Sequence, residues 1–188
     1  MEVLMMDENS INIEKGRIGE QIIEDNINKN IDIYHKIIRN VILNKDGKET
    51  EVDIILITCT GIFVIESKNF NGYIFGNNKH QKWTQVLSKA NHNVFDNPIK
   101  QNEYHIDFIS NNLNLDQSYF HSYIVFGDNS KLQDITIAQD KLYDIKVINN
   151  KDLIENLLFD IHKDDIKLSH EQIDKMYIDL KYFYSHLN

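Results

Sequence analysis

A chain of 188 residues, 41% apolar and 26% charged, is long enough to bury well over half of its unfolded surface, so one domain over residues 1–188 is expected rather than two. The single proline argues against a long disordered linker, and the lone cysteine, Cys59, rules out an internal disulfide and a cysteine-rich zinc site. A formal net charge of −9 argues against tight unaided binding to a polyanion, although residues 61–109, with 5 basic and 4 acidic side chains, escape the acidic excess.

Residues 14–30 read as a helix with Ile18, Ile22 and Ile27 roughly along one face, Gly16 and Gly19 near its start, and Glu20 in its first turns. Tyr34 to Leu43 is β-branched and apolar enough for a strand, and Lys45-Asp46-Gly47-Lys48 carries the Asp-Gly signal of a hairpin turn. Strands at 51–58 and 61–67 follow, whose runs Ile54-Ile55-Leu56-Ile57 and Ile62-Phe63-Val64-Ile65 predict a sheet covered on both faces. Asn69-Phe70-Asn71-Gly72 turns the chain into short strands near 73–76 and 81–86.

Asn97-Pro98 is a helix start, with Asn as N-cap and Pro at the first helical position, for a helix reaching about residue 113. Strands are expected at 119–126, 134–138 and 144–148. Asn150 is expected to cap a helix bearing Leu153, Leu157 and Ile161, and Ser169-His170-Glu171-Gln172 is a capping box for a last helix whose apolar face runs from Tyr177 to Tyr184. The order helix, three-strand meander, helix, strand, followed by further strands and helices, is a compact α/β core of about residues 14–126 with a C-terminal extension of about 127–188.

The chemistry lies in the meander. Strand side chains alternate faces, so Glu66 and Lys68 point the same way, and a hairpin brings Asp53 beside them. Neighbouring buried carboxylates ask for a cation. Mg²⁺, or Mn²⁺, suits a set of carboxylates, a backbone carbonyl and waters, so Asp53, Glu66 and the carbonyl of Ser67 are the expected ligands, with Glu20 reaching in from the first helix. Lys68 would orient or deprotonate an attacking water or stabilise the negative transition state, and Gln101, one turn into the second helix, would hydrogen-bond water or phosphate. On this reading Asp53→Asn or Lys68→Ala abolishes turnover and leaves the melting temperature within a few degrees.

Taken in order, Gly16-Arg17-Ile18-Gly19-Glu20, Glu51-Val52-Asp53, Gly61 to Asn69 with Gly72, Trp83, and Asn97-Pro98-Ile99-Lys100-Gln101 resemble the motifs of the nuclease-related domain (NERD) family. That family is similar in turn to the PD-(D/E)xK superfamily of restriction-endonuclease-like nucleases. The resemblance covers about residues 14–109 and places the family's helix glutamate on Glu20, its aspartate on Asp53, its Glu-x-Lys pair on Glu66 and Lys68 and its glutamine on Gln101. It implies a restriction-endonuclease-like fold and a metal-dependent nuclease mechanism without fixing the substrate; the leading expectation is phosphodiester hydrolysis in DNA, with RNA left open, in DNA processing or defence against foreign DNA. The alternative is a silent nuclease-fold module for nucleic-acid binding or complex assembly.

Arg17, Lys82 and Lys100 are the candidate nucleic-acid contacts, although each is also an ordinary surface charge, and Trp83 is read as a packing residue rather than a base platform. The histidines lack a compact zinc pattern, with His92 or His105 placed near the mouth of the site. Cys59 is expected as a buried, unreactive thiol. The acidic balance makes a helicase, ATPase or other DNA-processing protein a reasonable partner, and a homodimer would allow cutting of both strands. With no signal-peptide-like start and no apolar run of membrane-spanning length, a cytoplasmic location is expected.

Overall fold

A computed structural model describes residues 8–45, 48–138 and 140–185. Its larger sheet has the order β1-β2-β3-β7-β9. Strands β1 (His35–Lys45), β2 (Lys48–Thr58) and β3 (Ile62–Lys68) form the antiparallel meander, and β7 (Phe120–Phe126) and β9 (Ile145–Asn149) continue it in parallel. The expected Asp46-Gly47 turn lies outside the described residues.

Alternation along these strands feeds two apolar layers. Ile54, Leu56, Phe63, Ile65, Tyr123 and Val125 pack under Ile23 and Ile27 of α1 (Glu8–Asn30), Ile31 just beyond it, and Leu153, Leu157 and Ile161 of α3 (Leu153–Lys163). On the opposite face Ile55, Ile57, Ile62, Val64 and Ile124 meet Ile99, Ile106 and Ile109 of α2 (Pro98–Leu113) and Ile173 and Leu180 of α4 (His170–Ser185). The continuous apolar runs of β2 and β3 follow from this double burial. This is the mixed α/β, restriction-endonuclease-like core, and the C-terminal segment is built into it: β9 extends the sheet while α3 and α4 cover one face each.

A second sheet, ordered β6-β5-β4-β8, grows out of the chain four residues after Lys68. It comprises β4 (Gly72–Asn77), β5 (Lys82–Ser88), β6 (Asn91–Asp96) and β8 (Ser130–Thr136), with β8 parallel to β4. Gly72 enters it at φ +79, the left-handed region that glycine tolerates. Trp83 is buried, stacks on Phe126 and donates its indole N–H to the Asn77 carbonyl at 2.9 Å, so it is a packing residue. Its ring lies directly over Gly76, where an added Cβ would stand 2.1 Å from Trp83 Cδ2.

Several boundaries differ from the sequence reading. Helix α1 begins at Glu8, which puts Gly16, Gly19 and Glu20 in its interior; burial of Ile23, Ile27 and Ile31 outweighs a cost of about 1 kcal/mol per helical glycine. Strand β8 starts at Ser130 rather than near 134, and β6 is an additional strand whose Asn91-His92-Asn93 start has little strand propensity. Asn150 does not cap α3: residues Asn150–Asp152 form a 3₁₀ turn, and the Asn150 Oδ1 is buried without a partner. The Ser169 box forms as expected, with the Ser169 N–H donating to Gln172 Oε1 at 2.8 Å and the Gln172 N–H to Ser169 Oγ at 3.3 Å. Cys59 is half-buried rather than fully enclosed. The side chains from Tyr182 to Tyr184 lie outside the described residues.

Candidate functional site

The site forms where the meander comes apart. Pairing of β2 with β3 stops at Ile54 opposite Ile65, and pairing of β1 with β2 skips the step between Arg39–Ile54 and Val41–Val52. Asn40 and Asp53 are the two residues left facing each other at that skip. Asn40 is at φ 55, a left-handed conformation that Asn tolerates better than most side chains. The skip also shifts the alternation, so Ile38 and then Val41 and Leu43 feed the same core, as do Ile57, Ile55 and then Val52.

Asp53 therefore leaves the ordinary in-and-out alternation and turns across the gap. Its Oδ2 accepts the Ser67 N–H at 2.7 Å, replacing the β2 carbonyl that a continued ladder would have offered. A strand residue's N–H and C=O share one edge, so the Ser67 carbonyl is directed to the same side as Asp53. The next residue faces the other way, with the Lys68 carbonyl accepting the Gly127 N–H at 3.0 Å.

Glu66 is 3% exposed, and its Oε1 accepts from Lys68 Nζ at 2.5 Å. Its other oxygen, Oε2, is buried without a hydrogen-bond partner and faces His105 Nδ1 across 3.7 Å. His105, on α2, bonds through Nε2 to Thr50 Oγ1 at 3.0 Å. Burial, and then the charge of Lys68, lower the His105 pKa to about 4, so near neutrality it is an uncharged wall of the site rather than a salt-bridge partner. Glu20 is buried under α1, where Oε2 accepts from Asn40 Nδ2 at 2.8 Å.

Electrostatically, the carboxylates exceed the local positive charge. Burial raises the Asp53 pKa well above the usual carboxylate range, and the charges of Glu66 and Glu20 push the same way against the Ser67 N–H and Lys68. Glu66 is raised for the same leading reason, with Lys68 opposing. For Lys68 burial works against the charge, but Glu66 and Asp53 prevail and its pKa is raised. Asp53 and Glu66 thus share a single nearby ammonium, that of Lys68.

The donors suit a hard cation: Asp53, the unpartnered Glu66 Oε2 and the Ser67 carbonyl are all oxygen. Among the described residues, however, no three His, Cys, Asp or Glu side chains are gathered closely enough to hold a metal by themselves. Glu20 is tied to Asn40, and the half-buried Gln101 lies one turn before His105 on α2. Two clefts flank the site, one bordered by Gly19, Ser67 and Gly127 and the other by Arg17, Arg39, Asn40 and Glu51; neither is lined by Asp53 or Glu66.

Of the proposed contacts, Arg17 is exposed on the second cleft and Lys100 half-buried on α2. Lys82 is exposed and paired with Asp96 at 2.7 Å. His105 reaches the site, whereas His92 sits on the exposed side of β6. Asn40 and Thr50 escaped the sequence reading. The run Arg39-Asn40-Val41, an Asn inside a β-branched stretch, is the only hint of the left-handed residue.

The model of the nuclease-related domain family matches residues 15–127, more than half of the chain and all of the elements that build this site. The chain belongs to the NERD family. A Bacillus anthracis relative, described as uncharacterized protein pXO1-01, is 35% identical over 96 residues, which make up 50% of this NERD chain and 45% of that protein. The chain thus spans about half the length of the curated relative it matches. A crystal structure titled protein of unknown function AF1548 shares 11% identity, with a TM-score of 0.34, 92% of this chain and 99% of that chain being covered. Among the described residues no helix is long and apolar enough to cross a membrane.

Proposed function

We propose that this NERD chain is a Mg²⁺- or Mn²⁺-dependent nuclease hydrolysing phosphodiester bonds in DNA. The observation that carries the reading is the Asp53 carboxylate bonded to the Ser67 N–H in the gap between β2 and β3, beside the buried Glu66–Lys68 pair. Asp53, Glu66 and the Ser67 carbonyl would hold the cation, with Glu20 contributing directly or through water. Such an ion supplies neutralising charge at the phosphate and a more acidic bound water.

Without a metal the neighbouring carboxylates raise the Lys68 pKa, and Lys68 orients or helps deprotonate the attacking water or stabilises the negative transition state. Gln101, half-buried one turn into α2, hydrogen-bonds the water or a phosphate oxygen. His105 and Thr50 close the back of the site, where the neutral ring adds no charge against the incoming cation. Since the chain carries −9 overall, a helicase, ATPase or other DNA-processing partner supplies much of the grip on DNA, in DNA maintenance or defence against foreign DNA.

One observation favours a second reading, a catalytically silent binding or assembly module: Glu20 is engaged by Asn40 and the acids do not converge into a ready metal cluster. Incubating the purified chain with labelled linear, circular and single-stranded DNA and matching RNA, in Mg²⁺, Mn²⁺ or EDTA, separates the two. Metal-dependent cutting that disappears in Asp53→Asn supports the nuclease; metal binding without cutting points to an enzyme awaiting its partner, and neither cutting nor metal binding supports the silent module.

A further inference from the structure

The second sheet packs its inner side, Ile74, Trp83 and Phe95, into the core, and no helix or strand among the described residues covers its outer side. Cross-strand register sets out that outer side in rows. Lys131, Tyr73, Val86 and His92 lie abreast in one row; Gln133, Phe75, Thr84 and Val94 form the next; Lys82 opposite Asp96 forms the last. Tyr73 is 44% exposed and Val94 62%, and Lys131 Nζ stands 5.2 Å from the centre of the Tyr73 ring. A shallow depression beside Tyr73 is lined by Val86, Leu87, Lys89 and His92.

The charge of this segment is opposite to that of the chain. Residues 70–100 contain Lys79, Lys82, Lys89 and Lys100 against a single acid, Asp96, and β8 adds Lys131 and Asp134, in a protein of net charge −9. The sheet also adjoins the candidate site: β4 begins four residues after Lys68. At about 3.3 Å per residue, the path along β5 from Lys82 to Val86 is roughly 13 Å.

We infer that the outer face of the β6-β5-β4-β8 sheet is a platform for single-stranded DNA leading to the catalytic gap, with Tyr73 stacking on an unpaired base and Lys82, Lys89 and Lys131 following the phosphates. A duplex fits this face poorly, because stacked bases offer no π-face to Tyr73, while an exposed ring with flanking cations suits a base freed from its stack. The inference rests on the nuclease reading for its direction, and its test does not require turnover.

The test measures fluorescence anisotropy of a labelled single-stranded DNA oligonucleotide with the full chain in EDTA, over a range of salt, beside the same sequence as duplex DNA and as RNA. Tyr73→Ala weakens single-strand binding roughly 5- to 150-fold, the span of one lost base stack, while Tyr73→Phe retains it. Lys89→Glu with Lys131→Glu weakens binding and flattens its salt dependence, whereas Lys151→Glu with Lys175→Glu, outside this sheet, has a much smaller effect. Unchanged binding in Tyr73→Ala, binding of duplex or RNA in preference to single-stranded DNA, or a change only in oligomeric state by sedimentation overturns the platform, whatever the cleavage assay shows. Tyr73-dependent binding of DNA by a chain that neither binds Mg²⁺ or Mn²⁺ nor cuts in their presence overturns the nuclease and leaves the platform standing.

Discussion

Asp53 Oδ2 accepts the Ser67 backbone N–H at 2.7 Å, one residue beyond the point where β2 and β3 stop pairing. One side chain thereby does two things: it satisfies a strand edge, and it places a carboxylate next to the Ser67 carbonyl. Asn at position 53 retains an oxygen for the Ser67 N–H and removes the buried charge. Asp53→Asn therefore keeps or raises the melting temperature of the metal-free protein and lowers cleavage by at least about 100-fold, comparable to losing a key electrostatic group. Paired thermal melts and single-turnover cleavage check this, and a collapse of the melting temperature would make the residue primarily structural.

The same substitution isolates a pH effect. A carboxylate whose folded pKa is raised binds more protons in the folded than in the unfolded state, so its contribution to stability is greatest below the unfolded carboxylate value and is lost as pH rises through the folded value. Metal-free wild type therefore loses stability relative to Asp53→Asn as pH rises from the acid range towards neutrality. The lowered pKa of His121, set first by burial, acts in the opposite sense in both proteins and cancels in the difference. Mn²⁺ binding, which needs the deprotonated carboxylates, strengthens over the same rise in pH. Urea melts and calorimetric Mn²⁺ titrations at matched pH values read both effects.

Much of this site was legible because strand periodicity and hairpin proximity are local properties. They bring Asp53 to Glu66 and Lys68 with no further information. The contacts that finish the site depend on tertiary pairing instead. Asn40 becomes left-handed only where β1 faces the Asp53 skip, and Thr50 meets His105 across 55 residues of sequence. Strand β6 illustrates the same limit, since Asn91, His92 and Asn93 carry little strand preference and are held by pairing with β5 and by Phe95 packed on Trp83. Asn150 had the chemistry of a cap but was overridden by a 3₁₀ turn at the start of α3.

Lys68 departs from the sequence expectation that its removal is thermally harmless. Glu66 is 3% exposed and Lys68 is its only hydrogen-bonding partner among the described residues, so Lys68→Ala strands a buried acid. The variant is expected to lose about 1–3 kcal/mol near neutral pH and to recover part of that in acid, as Glu66 takes up a proton. Adding Glu66→Gln restores stability without restoring cleavage. A double-mutant cycle on urea-melt free energies checks the coupling, and additive losses would mean that the pair contributes nothing to folding.

Asn40 separates positioning from stability. At φ 55, glycine is comfortable and alanine is not, whereas both remove the amide that holds Glu20 at 2.8 Å. Asn40→Gly is thus expected to fold about as stably as wild type, and Asn40→Ala to lose about 1–2 kcal/mol from the left-handed backbone. Both weaken Mn²⁺ binding by a similar factor of about 10, the scale on which outer-shell partners of metal ligands act. Calorimetric titration with Mn²⁺ beside thermal melts distinguishes the two contributions. If Asn40→Gly binds Mn²⁺ like wild type, the Asn40 amide has no part in presenting Glu20, and the left-handed turn serves only to open the gap that Asp53 enters.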